Sequence, residues 1–236
     1  MRILITRPRE DAEQFARAVS ALGHDAVIEP LLEIDFLPGP PIDLGGVQAV
    51  LLTSANGARA LAHRVAVRDV PLIAVGPATA SAAREIGFLD VSESAGEGVE
   101  ALASFVRTKL RPGGGALMHP AGSVSAGDLS GALGARGFVV RREVIYDARA
   151  VDHLSGAVVA ELSAGLIDAV TFFSPRTAAI FVELATEESV ADACRRLTAL
   201  CLSAAVGVAL APLRFAAVKV AKNPTMEAML ALIGAS

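Results

Sequence analysis

Hydroxyls and arginines gather in this chain where strand-length apolar runs give way to small residues. Thr53-Ser54-Ala55-Asn56-Gly57 and Ser174-Pro175-Arg176-Thr177 each follow such a run and open a helical pattern. A helix start leaves backbone N–H groups without intrahelical partners, so a hydroxyl beside it suits an anionic ligand. Ordinary N-capping by Ser54 and Ser174 is the structural alternative; recurrence at matched positions favours binding. Val75-Gly76-Pro77-Ala78-Thr79-Ala80 repeats the device, with Gly76 free in backbone conformation, Pro77 suited to a first helical turn and Thr79 as hydroxyl. Its counterpart, Ser203-Ala204-Ala205-Val206, keeps Ser203 but has no glycine, proline or threonine.

Arg7, in Thr6-Arg7-Pro8, and Arg176 are the cations best placed to face a ligand, and a guanidinium can grip a carboxylate with two parallel hydrogen bonds. A surface charge is the alternative for each. Tyr146, the only tyrosine, could donate a proton or a hydrogen bond to a substrate, or could simply pack. His119 follows a strand pattern, where a structural role is the first reading, and could otherwise edge a site. The four histidines have no metal-ligand spacing, and no Ser-His-Asp arrangement is legible. The phosphate fingerprints G-x-x-x-x-G-K-[ST] and post-strand G-x-G-x-x-G are missing, which leaves nucleotide binding with little support.

The elements that carry these residues come twice. Leu51-Leu52-Thr53-Ser54-Ala55-Asn56-Gly57 returns as Thr171-Phe172-Phe173-Ser174-Pro175-Arg176-Thr177, and Ile73–Ala80 lines up with Leu200–Gly207. More loosely, Ile3–Pro8 matches Ala116–Ala121. Two similar α/β lobes are expected, with parallel sheets flanked by helices, since short apolar runs alternate with alanine-rich helical stretches. Strands are expected at 2–6, 26–30, 48–53, 71–75, 115–118, 138–145, 167–173, 199–203 and 216–219, with helices filling most gaps. Pro38-Gly39-Pro40-Pro41 and Asp147–Asp152 are the linker candidates. Two crossings there would join 1–36 to 150–236 in one lobe and leave 37–149 as the other, although a simple division into first and second halves fits the repeat equally.

Composition narrows the classes. The chain has 236 residues, of which 53% are hydrophobic and 19% charged, so heavy cores are expected and disorder is not. A net charge of −4 argues against general nucleic-acid binding but leaves a local anion site possible. The apolar stretch Ala199–Leu213 is shorter than the ~20 residues of a membrane helix. No signal-peptide pattern follows Ile3-Leu4-Ile5, and a cytoplasmic protein is expected. Cys194 and Cys201 read as small buried hydrophobes.

Taken in order, Ile3–Pro8, Leu52–Gly57, Val75–Ala80, Tyr146, Phe172–Thr177 and Asn223-Pro224-Thr225 ahead of Met229-Leu230 resemble the uroporphyrinogen-III synthase family over nearly the whole chain. The resemblance implies a lyase that closes hydroxymethylbilane into uroporphyrinogen III with loss of water and inversion of the last pyrrole. It implies two lobes joined by two crossing strands with the site between them, and neither metal nor organic cofactor. It makes Tyr146 the catalytic candidate for helping the hydroxyl leave. Arg7, Thr53, Ser54, Asn56, Gly76, Thr79, His119, Ser174, Arg176, Thr177, Ser203 and Thr225 are the substrate-binding candidates. The chain departs from the family pattern at Ala55, where proline is common, and at Ala148, where a threonine often stands. It departs again at Ser203, Ala204 and Val206, where the family carries Gly-Pro and a threonine, so Val206 receives no role. The substrate would be a small molecule, with no nucleic acid or membrane partner. A monomer is the simplest expectation, and transfer from the preceding enzyme stays open. The competing class is a two-lobed small-ligand-binding module without catalysis.

Overall fold

A computed structural model describes residues 1–94, 96, 98–124 and 127–234. Two compact units are present, Met1–Glu33 with Arg149–Ser236, and Ile34–Ala148. The second unit holds β3 (Leu32–Phe36, which enters it from the first), β4 (Val47–Leu52), β5 (Leu72–Val75), β6 (Val91–Ser94), β7 (Ala116–Gly122) and β8 (Val140–Ala150, which leaves it). Its helices are α2 (Ala55–Arg64), α3 (Gly76–Glu85), α4 (Gly98–Lys109) and α5 (Leu129–Gly134). The first unit holds β1 (Arg2–Ile5), β2 (Asp25–Ile28), β9 (Ala169–Phe172), β10 (Thr198–Cys201) and β11 (Ala217–Val220). Its helices are α1 (Arg9–Ala21), α6 (Gly156–Ala164), α7 (Pro175–Glu187), α8 (Ala204–Ala209) and α9 (Met226–Gly234).

The sheet orders are β11-β10-β9-β1-β2 and β3-β8-β7-β4-β5-β6. Read from β11 and from β6, the orders correspond strand for strand, with β9 in the place of β4 and β1 in the place of β7. The internal sequence repeat falls on these equivalent strands. Pairing is parallel throughout β11-β10-β9-β1-β2 and β8-β7-β4-β5-β6.

Alternation along the central strands splits each core into two layers. Val50 and Leu52 of β4 pack with Ala58 and Leu61 of α2 and Ala80 and Ala83 of α3, while Ala49 and Leu51 face Leu102 and Val106 of α4 and Leu133 of α5. In β1, Leu4 packs towards Val158, Phe181 and Val206, and Ile3 and Ile5 pack towards Phe15, Val19 and Met229. Helices therefore cover both faces, as parallel sheets require. Val206 is buried in the first of these layers, in keeping with its lack of a hydroxyl. Cys194 and Cys201 are buried and unpaired, and burial pushes each thiol up to about 11.

Some elements differ from the sequence expectations. β3 and β6 were not expected: β3 alternates Leu32, Ile34 and Phe36 with the acidic Glu33 and Asp35, and β6 is short and mostly polar. β7 continues to Gly122, and β8 continues past 145, so Tyr146 stands inside a strand. The proline run lies within the second unit. Arg64, only 8% exposed, fixes it by donating from Nε to the Pro40 carbonyl at 2.7 Å and from Nη2 to Glu143 Oε1 at 2.6 Å.

Candidate active site

In the second unit the chain leaves β4 for β5 on one side, while β7, β4's other neighbour, leads to β8 on the opposite side. Such a switch point opens a crevice beyond the carboxyl ends of the two strands, where ligands of open α/β sheets bind. A pocket of about 200 Å³ lies there. Thr53 and Ser54 reach it from the end of β4, and His119 and Gly122 from β7. Tyr146 of β8 and the start of α4 at Gly98 and Val99 close its other sides.

Ser54 does two things at once. As N-cap of α2 its Oγ accepts the Gly57 N–H at 3.0 Å, and it lies 2.7 Å from Tyr146 Oη. Capping and site membership are thus combined in one hydroxyl. If Ser54 donates to the phenol oxygen, the Tyr146 O–H is left to donate to a ligand. The pairing of β7 with β8 positions that ring. Ala121 pairs with Val144 but Gly122 pairs with Tyr146, so Ile145 is an extra residue and both it and Tyr146 are buried. Bulges of this kind re-aim side chains beside active sites. Gly122 makes room for the result: a Cβ there would stand 2.8 Å from Tyr146 Cζ and 3.0 Å from Oη.

His119 is 3% exposed, and among the described residues neither ring nitrogen has a hydrogen-bond partner. Desolvation first, and then the Arg142 charge, lower its pKa to about 4. The ring is therefore neutral near pH 7, with one N–H and one bare nitrogen, and leaving them unpaired costs about 1–3 kcal/mol.

The equivalent switch point of the first unit lies between β9 and β1. Arg7 follows β1, its guanidinium 4.2 Å from the Phe173 ring centroid and its Nη2 3.2 Å from Asp11 Oδ2. Phe15 meets Phe173 edge-on at 5.1 Å, so Arg7 is held as a partly buried cation on an aromatic platform. Ser174 caps α7 by accepting the Thr177 N–H at 3.1 Å, and its Oγ lies 2.8 Å from Thr177 Oγ1.

The family model for HEM4, uroporphyrinogen-III synthase HemD, matches residues 13–231. The chain belongs to the uroporphyrinogen-III synthase family. Its activity class is that of a cyclising lyase of tetrapyrrole biosynthesis. No curated protein matches the sequence significantly. Among solved structures, the uroporphyrinogen-III synthetase of Helicobacter pylori is similar at a TM-score of 0.61 and 17% identity, over 99% of this chain and 98% of that one. A mutant uroporphyrinogen III synthase from the extremely thermophilic bacterium Thermus thermophilus is similar at a TM-score of 0.55 and 18% identity, over 99% and 97%. At these identities the likeness concerns the fold.

Of the residues suggested by the uroporphyrinogen-III synthase resemblance, the pocket brings Thr53, Ser54, His119 and Tyr146 together. Asn56 stands in the first turn of α2, where its Oδ1 accepts from Arg59 Nη1 at 2.9 Å. Gly76 opens α3 with φ +67°, a left-handed conformation that explains the glycine, and Thr79 is buried in that helix. Arg176 is exposed in the first turn of α7. Ser203 precedes α8 without a side-chain capping bond, and Thr225 accepts the Ala228 N–H at 3.2 Å. The residue that sequence reasoning missed is Gly122; a glycine at the end of a strand carries no signal of its own, because its value lies in the cross-strand register. Among the described residues no group of three or more His, Cys, Asp or Glu could hold a metal, and no helix is long and apolar enough to cross a membrane.

The lowered His119 pKa has a measurable consequence. Between about 6.5 and about 4 the unfolded chain binds a proton at this site and the folded chain does not. Stability is therefore expected to fall as the pH is lowered through that window and to level off, for this group, below it. Melting temperatures of the parent and a His119→Leu variant measured against pH would show it: the parent profile should be steeper there, and parallel profiles would contradict the expectation.

Proposed function

We propose that this chain converts hydroxymethylbilane to uroporphyrinogen III, and that the Tyr146 pocket handles the departing hydroxyl. The observation that carries the reading is the 2.7 Å contact of Tyr146 Oη with Ser54 Oγ at the rim of a switch-point pocket. Breaking the C–O bond of the terminal hydroxymethyl group needs a proton on the leaving oxygen. Tyr146 gives that proton, and water departs. The Ser54 hydroxyl then donates to the phenolate oxygen while the Gly57 N–H supports Ser54. The proton returns to Tyr146 when the newly closed ring loses its own.

The pocket is smaller than the ~300–1,000 Å³ common for whole small ligands, so it suits one substituted pyrrole rather than four. The remaining work is conformational: the last pyrrole must be attacked at its substituted carbon, pass through a spiro intermediate, and reclose inverted. Arg7, Ser174, Arg176 and Thr177 are proposed to bind acetate and propionate groups, as are Thr53, Asn56, Gly76, Thr79, Ser203 and Thr225. Helix N-termini supply part of that attraction without a high net charge. The proposed working form is a cytoplasmic monomer, supported by two unpaired cysteines and by a pocket lined from one unit.

The test is to supply purified protein with freshly generated hydroxymethylbilane, oxidise the products and separate the type I and type III isomers. Predominantly type III without added metal or cofactor supports the proposal. The isomer mixture of a protein-free control, from folded protein, would overturn it.

A further inference from the structure

We propose that His119 is a substrate-binding residue of the pocket, accepting a hydrogen bond from the N–H of the pyrrole ring that enters it. The inference rests on the pocket reading above and adds to it the group that the histidine meets. A side chain so fully buried, with both polar atoms unpartnered among the described residues, gains nothing from its hydrogen-bonding capacity in the ligand-free chain. Leucine or methionine would fill the same space, as the neighbouring Leu117 and Met118 do in the core. Its position on the pocket wall supplies what the core does not, a route to a ligand.

The chemistry selects the partner. Ser54 Oγ already accepts from Gly57, and it and Tyr146 Oη engage each other. A pyrrole N–H is a donor with no acceptor lone pair, and the bare nitrogen of a neutral imidazole complements it. That bare nitrogen repels a carboxylate oxygen, so it is assigned the N–H edge of the pyrrole rather than its acidic arms. Arg142, the charge that acts on His119, donates from Nη2 to the Gly122 carbonyl at 2.9 Å and leaves the imidazole as the acceptor. Neither nitrogen meets solvent in the ligand-free chain, so the proposed contact requires the imidazole to turn about its side-chain torsions as the ligand enters.

Two variants and one spectrum test this. His119→Leu removes both nitrogens, and His119→Asn keeps an acceptor. With hydroxymethylbilane, the leucine variant is expected to melt no lower than the parent at pH 7, yet to raise KM about five- to tenfold with kcat little changed, as for a contact made equally before and during reaction. Asparagine should recover part of that loss. A leucine variant with the parent's KM and isomer ratio would overturn the inference, as would equal losses in both variants. In the unsubstituted protein, added uroporphyrinogen III kept reduced should shift the imidazole ¹⁵N signal of His119, and an unmoved signal would also overturn it. The parent's own isomer ratio is a separate control: failure to form type III there removes the proposed activity, whereas type III from the parent with an indifferent His119 removes only this inference.

Discussion

A Tyr146→Phe protein is expected to fold like its parent and to turn over hydroxymethylbilane about a hundredfold more slowly, the lower end of what a positioned general acid contributes. The ring would keep its packing against the α2 and α3 layer, because only the oxygen is removed. Ser54 would lose one neighbour but keep the Gly57 N–H, so the stability cost should stay near ~1 kcal/mol. As the bilane also closes unaided, the residual product should drift towards the uninverted isomer. Ser54→Ala in the same background should add little further loss of turnover, since the serine acts on the reaction through the phenol. Single-turnover rates, isomer ratios and circular dichroism on the three proteins check this. Unchanged turnover and isomer ratio in Tyr146→Phe would remove Tyr146 from the mechanism.

Gly122→Ala is expected to cost nearly as much activity through one added methyl group. That carbon would lie 2.8, 2.9 and 3.0 Å from Cζ, Cε2 and Oη of Tyr146. The phenol ring, 8% exposed and packed in its core layer, has little room to yield. Overpacking of this kind costs about 1–3 kcal/mol. Any tilt that relieves it also breaks the 2.7 Å contact with Ser54. Denaturant midpoints and turnover should therefore fall together. In a Tyr146→Ala background the stability cost of Gly122→Ala should largely vanish, because the atoms it meets are gone. Full turnover and an unshifted midpoint in the single variant would show that the ring is not held as described.

The parallel α/β character was legible because buried central strands read as continuous apolar runs. Ile3–Ile5 and Ala49–Leu52 are such runs, and Ala169–Phe172 is one but for Thr171, all buried on both faces. The internal repeat was legible for the same reason, as it falls on equivalent central strands. β3 was not legible in this way although Leu32, Ile34 and Phe36 alternate with acids, because a half-buried strand has no unbroken apolar run. β6, with Ser92, Glu93 and Ser94, offers even less. At the site, residue types pointed to Ser54 and Tyr146 one at a time, but their contact spans 92 positions and depends on how β7 and β8 pair. The bulge at Ile145 and the space left by Gly122 belong to that pairing, and no local pattern encodes a register.

The order in which the strands are made has its own consequence. β1 and β2 emerge before the whole of the second unit, whereas β9, the strand that seats against β1, emerges after it. Ribosomes add roughly 5–20 residues per second, so during synthesis the second unit can settle while Phe15 and Val19 still wait for the layer that will cover them. The nascent chain thus carries an amphipathic helix with an uncovered apolar face through most of its translation. Binding of a chaperone that shields such surfaces should be concentrated on α1 and should end once β9 and α9 are both available.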